Sequence, residues 1–242
     1  MLFRSYFAAN YEAAITRFTD YSGAKTVDHS GEIAIGGNLQ KLKVDLSQAL
    51  DSRSDADTAN LAAGGRVKRK TWTTKVNSKY EVSEKTSAGL DLNQTIGDYE
   101  APLFDTVDRS ASLWMDYQVL PKVKMGLGAV VGYLQVDGVA GNHNANSVYE
   151  QGLVRLAWAA SDKLTIRGSA GIENRNVQES GATDPVTAVF SLGASWKASE
   201  KTAVDLTASR GTRASNNSAS QLNEETSVVA AIRQALVEGV SL

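Results

Sequence analysis

The chain has 242 residues, 42% of them hydrophobic and 21% charged, which excludes a disordered or collagen-like polymer. Its formal charge of -2 and pI near 5.8 leave no basic footprint for nucleic acid. With no cysteine and two histidines there is no disulfide framework, no thiolate nucleophile and little to ligate a metal, so neither a cofactor nor an enzyme is expected.

From the N-terminus, Met1 to Phe7 run straight into a segment near 4–18 that alternates at period two, the signature of a strand with one apolar and one polar face. The turn Gln40-Lys41-Leu42-Lys43 then divides strands near 30–39 and 42–50. Strands near 64–81 and 86–97 flank Ser83-Glu84-Lys85-Thr86, and those near 107–119 and 123–136 flank Pro121-Lys122-Val123-Lys124. Ser161-Asp162-Lys163-Leu164 separates 148–160 from 164–177, and Ser199-Glu200-Lys201-Thr202 separates 185–197 from 202–213. A last pattern near 225–236 leads to Val237-Glu238-Gly239 and a thirteenth strand beginning at Val240. The stretch Ser227 to Val237 also fits an amphipathic helix, but its place in the repeat makes it a strand.

The lysine-bearing turns recur about every forty residues, and longer polar connections alternate with them: Ser22 to Ser30, Asp51 to Asn60, Gly97 to Asp105, Asp137 to Ser147, Glu179 to Asp184 and Thr212 to Glu224. Short turns at one end and long connections at the other are what a meander of membrane-crossing strands requires. No window approaches the roughly 18 unbroken apolar residues of a membrane helix. The expected fold is all-β: an up-and-down antiparallel transmembrane β-barrel of about twelve visible strands within one domain, part of a larger barrel.

Tyr80, Tyr117, Trp158 and Trp196 each stand three or four positions before a short turn, the last three clearly on the apolar parity of their strands. In a membrane barrel they form an aromatic girdle at the headgroup level. Tyr80 shares its parity with Arg66, Lys68 and Lys70 as well as Trp72 and Val76, so its strand either starts later than Gly64 or carries a bulge. Alternation alone does not say which face meets solvent. Gly126, Gly128, Gly132, Gly168, Gly171 and Gly193, set inside strands, would leave a soluble core underpacked, and a water-filled or loosely packed lumen tolerates them.

Asn10-Tyr11-Glu12-Ala13-Ala14, Ala111-Ser112-Leu113-Trp114-Met115-Asp116-Tyr117, Gly126-Leu127-Gly128 with Gly132-Tyr133, and Tyr149-Glu150-Gln151-Gly152-Leu153-Val154-Arg155 resemble the β-barrel porins of Gram-negative bacteria, in particular the group encoded near exopolysaccharide or capsule loci. The resemblance implies an outer-membrane location, a lipid bilayer around the barrel, and passive transport of small solutes or polysaccharide. It brings no catalytic residues. Such barrels begin with a signal peptide and end in an aromatic-tipped strand, so the chain reads as an internal fragment.

The charges expected on the lumen side are Lys75, Lys79, Asp116, Arg155, Arg167, Glu173, Arg175, Asp205 and Arg233. They either form a constriction that screens solutes by charge or pair across neighbouring strands as ladders. His29 and His143 fall in long connections, a poor place to hold Ser–His hydrolase geometry. The acids of Asp51-Ser52-Arg53-Ser54-Asp55-Ala56-Asp57 lack the Gly and Glu of a calcium loop, and Asp98 and Glu100 read likewise as solvated. Two alternatives stay open: a non-conducting structural or adhesion barrel whose loops bind a partner, and a soluble barrel holding an apolar ligand.

Overall fold

The computed structural model describes residues 4–16, 26–55, 67–100, 103–137, 146–178, 185–214, 222–237 and 240–241. They form one antiparallel sheet in strict chain order: β1 (Arg4–Thr16), β2 (Thr26–Leu39), β3 (Leu42–Asp55), β4 (Val67–Glu81), β5 (Thr86–Tyr99), β6 (Asp105–Leu120), β7 (Val123–Asp137), β8 (Ser147–Ala159), β9 (Leu164–Val177), β10 (Val186–Lys197), β11 (Thr202–Ala214), β12 (Leu222–Val237) and the short β13 (Val240–Ser241). Ser227 to Val237 is strand, as its place in the repeat requires. The turn expected at 238–239 lies outside the described residues.

The repeated Ser-acid-Lys motif has a local cause. In each copy the serine hydroxyl accepts turn N–H groups: Ser83 Oγ from Lys85 and Thr86 at 3.3 and 3.1 Å, and Ser161 Oγ from Lys163 and Leu164 at 3.2 and 3.0 Å. Ser199 Oγ takes the Lys201 N–H at 3.2 Å. A serine at that position supplies acceptors for donors that a tight turn leaves without a ladder partner. The turn between β2 and β3 instead places Gln40 at φ 47°, the left-handed region that two-residue hairpins use.

The strands run further toward the long connections than alternation suggests. Asp51–Asp55 belongs to β3, Asp98 to β5 and His29 to β2, so none of these lies in a loop. Ladder bonding continues past the apolar stretch because backbone pairing does not need an apolar side chain. β4 begins at Val67, and its register with β3 is unbroken from Asp55↔Val67 to Leu42↔Tyr80. Thus Lys68 and Lys70 share the face of Trp72 and Tyr80, at the strand's far end, without a bulge.

The sheet is a single curved layer. It exposes 15963 Å², against about 10,500 Å² for a soluble globule of 25.8 kDa by mass scaling. Arg155 on β8 reaches Asp116 on β6, Tyr149 on β8 reaches Asp108 on β6, and Tyr6 on β1 reaches Asp45 on β3. Each contact spans two strand spacings, roughly 10 Å, so side chains on this polar face converge and the face is concave. The other parity splays outward. Leu127 is 67% exposed and Ile232 70%, with Leu113, Ile172 and Val228 close behind. Patches of this extent are foreign to soluble monomers. The result is a transmembrane-type up-and-down sheet, apolar outside and polar inside.

Candidate lumen lining and membrane interface

The outer face has a sharply set lower edge. The carbonyl of Lys41 accepts the N–H of Glu81 at 2.8 Å, Lys85 that of Gln118 at 2.8 Å, Lys122 that of Ala159 at 2.9 Å and Lys163 that of Lys197 at 2.8 Å. Each short turn is thereby stitched to the end of the second strand beyond it. The residues just before these donors are Tyr80, Tyr117, Trp158 and Trp196. Identical bonds hold the girdle aromatics at one height, all on the outward parity and 43–50% exposed. Eight residues separate Tyr117 from Arg109, and ten separate Tyr80 from Lys70, the next charged outward positions. At ~3.4 Å per residue and a tilt of ~40° the apolar band is roughly 20–26 Å tall, close to the ~25 Å of membrane barrels.

All the charges assigned to the lumen side share the concave face, as the chain of registers from β4 to β12 requires. They do not form one cluster. Toward the turn end Arg155 Nε donates to Asp116 Oδ1 at 2.9 Å, and its guanidinium carbon lies 4.7 Å from the Trp114 ring. Trp114 Nε1 in turn donates to Asp91 Oδ2 at 2.8 Å. Trp114 therefore serves the polar face.

A second network lies nearer the long connections. Arg175 Nε donates to Glu173 Oε1 at 2.9 Å and its Nη1 to Ser147 Oγ at 3.0 Å, while Gln151 Nε2 donates to Glu173 Oε2 at 2.7 Å. The Arg175 guanidinium stacks 4.5 Å from the Tyr149 ring, whose hydroxyl donates to Asp108 Oδ1 at 2.8 Å. Glu173 and Arg175 are 1% and 3% exposed. Asp205 receives the Ser195 hydroxyl at 2.7 Å and pairs with the exposed Arg233 at 2.5 Å. Lys79 meets Glu81 at 3.2 Å, whereas Lys75 and Arg167 have no ion-pair partner among the described residues. Of these pairs, one joins neighbouring strands, Asp205 with Arg233. Asp116–Arg155 vaults β7, and Glu173–Arg175 lies within β9.

Several of the intrastrand glycines are not open space. A Cβ at Gly126 would strike Asp116, one at Gly132 the Tyr149 ring, one at Gly89 the Trp114 ring, and one at Gly36 the Tyr6–Asp45 pair. The expectation of a loosely packed lumen at Gly126 and Gly132 is therefore corrected. These glycines make room for long side chains from adjacent strands to lie across them.

Sequence reasoning missed Asp91, Asp108, Ser147, Tyr149 and Gln151. Tyr149 had a usable signal, a large aromatic on the polar parity of its strand. His29 lies on the outer face, where its ring nitrogen and the Tyr11 hydroxyl meet at 2.8 Å. His143 lies outside the described residues. Arg53 Nε donates to Asp51 Oδ1 at 2.7 Å, so this acidic stretch is partly neutralised within β3.

No family model and no curated protein matches the chain. Among solved structures it is similar to the CymD monoaromatic hydrocarbon channel, with TM-score 0.49 and 11% identity over 97% of this chain and 78% of that one. It is also similar to the FrpB iron transporter from Neisseria meningitidis (F3-3 variant), with TM-score 0.47 and 11% identity over 96% of this chain and 49% of that one. For the alcaligin outer membrane receptor FauA from Bordetella pertussis the values are 0.41 and 10%, over 98% of this chain and 44% of that one. The chain thus spans about half of the last two.

Proposed function

We propose that the chain is the wall of an outer-membrane β-barrel that acts as a porin-like passive channel, with the lipid bilayer around it and small polar solutes or polysaccharide passing along its concave face. One observation carries this reading: the two faces are inverted relative to a soluble protein. The large apolar side chains of β1 to β12 point outward above a level ring of aromatics, and the charges point inward. Water outside would leave the apolar band exposed, whereas hydrocarbon solvates it and strands the charges in the lumen. The polysaccharide cargo is supported by the sequence resemblance to exopolysaccharide-linked porins.

Transport of this kind includes no catalytic step. The lumen offers fixed pairs, Asp116–Arg155 and Glu173–Arg175, which shape the passage, and cations without an ion-pair partner among the described residues, Lys75 and Arg167, which bias it electrostatically. Single-channel conductance in planar bilayers tests the reading. Arg155→Glu with Arg167→Glu is expected to shift permeability toward cations, and Arg167→Glu alone to shift it less. Unchanged selectivity in both would sink the charged-lumen mechanism. Absence of any conductance would favour the non-conducting barrel.

A further inference from the structure

Inside the long-connection end lies a cavity of about 500 Å³ whose wall runs from Thr95 and Tyr99 on β5 round to Arg213 on β11. Its wall is split. The ladder between β10 and β11 stops at Phe190↔Arg210, although β10 begins at Val186 and β11 continues to Ala214. Beyond that point Thr187 and Thr212 meet through their hydroxyls at 3.2 Å. The ladder between β2 and β3 also ends early, but there the Asp28 carboxylate accepts the Ser54 N–H at 2.9 Å. At the β10–β11 seam the cavity is lined by inward residues, Val189 and Gly211, and by outward ones, Phe190, Arg210 and Thr212. It therefore reaches through the wall.

The chemistry at this opening is that of an anion site with an apolar flank. Arg210 bonds Glu224 through Nη2, yet its Nε is buried with no hydrogen-bond partner among the described residues. The carboxylates of the cavity are already engaged, Asp108 by Tyr149 and Glu173 by Arg175 and Gln151. Arg210 and Arg213 are each paired with one carboxylate, Glu224 and Glu225, and what they offer an incoming anion is the guanidinium N–H groups those pairs leave over. On the side of the long connections Phe104 packs on Leu134 and Val136, with Leu222 of β12 against them, which sets an apolar cluster beside the cavity wall at Leu134. The seam, in contrast, sits just past the apolar band, since Arg210 follows Leu206 and Ala208 on the outer face. That is the level of lipid headgroups.

We propose that the seam between β10 and β11 admits amphiphilic anions from the outer leaflet into this cavity, the oxyanion head on Arg210 and Arg213 and the aliphatic chain against Phe190, Val189 and Leu134. The inference rests on the chain being a barrel wall in a membrane, and it adds a solute class and a lateral route to the passive channel.

Because the chain has no cysteine, Thr187→Cys with Thr212→Cys can lock the seam by oxidation and reopen it with reductant, which makes the reduced protein its own folding control. The probe is decanesulfonate, whose charge is permanent, and ethanesulfonate carries the same head without the chain. In planar bilayers, decanesulfonate is expected to block current at a concentration about tenfold or more below ethanesulfonate. Oxidation should raise its half-blocking concentration by about tenfold, and Arg210→Gln should raise it with the seam open. Equal block by ethanesulfonate would mean free anions arriving along the axis, and block indifferent to oxidation would mean that the seam is no route. Either result overturns the proposal. A protein that carries no current refutes the channel alone. The seam is then read from dansyl-aminoundecanoate fluorescence in loaded over empty nanodiscs, where binding sensitive to oxidation and to Arg210→Gln upholds the site and insensitive or absent binding overturns it.

Discussion

The two ends of the sheet are built on different principles. At the turn end, a serine satisfies the N–H groups two and three residues on, and a lysine carbonyl binds the next turn's strand. At the other end the contacts are distant in sequence, such as Tyr149 with Asp108 across 41 residues and Arg175 with Ser147 across 28. Local chemistry sets the height and register of one rim, and long-range burial sets the geometry of the other. Energy follows the same division, because exposed turn bonds are worth little and a buried ion pair is costly to break.

The largest effect is expected at Glu173. Glu173→Ala leaves Arg175 buried without its carboxylate and should destabilise the barrel by about 3–5 kcal/mol. Asp205→Ala, whose partner Arg233 is 68% exposed, should lose about 1 kcal/mol or less. Urea unfolding from lipid vesicles, followed by tryptophan fluorescence, compares the two, and equal losses would erase the distinction between the rims. Gly132→Ala comes next, at about 1–3 kcal/mol, because the new methyl meets the Tyr149 ring. The loss should shrink in a Tyr149→Ala background, and a purely additive double mutant would refute the cover of ring over glycine. Smallest is Ser161→Ala, about 0.5 kcal/mol for two weak, exposed turn bonds, with conductance unaltered.

This contrast also explains what could be read in advance. The turn spacing, the strand order and the period-two parity of the strands were legible, because period-two alternation and Ser-acid-Lys turns act over a few residues. The far strand ends were not, since β3, β5 and β12 continue into polar sequence where alternation has no contrast. Nor was the Asp91–Trp114–Arg155–Asp116 chain, which exists only when β5, β6 and β8 curve together across Gly89 and Gly126. The β10–β11 seam leaves no mark in Val186 to Val189 or Gly211 to Ala214, both of which read as ordinary strand.

Because lysine carbonyls fasten each hairpin to the following one along a single rim, alignment of the whole wall is decided before the opposite tips are reached. The tips are thereby released from any duty in holding strands in step. Peptides of varied length could be grafted between β7 and β8, or between β11 and β12, without sliding one strand past another. A barrel anchored in this lopsided way can diversify what it displays to its surroundings while its wall stays the same.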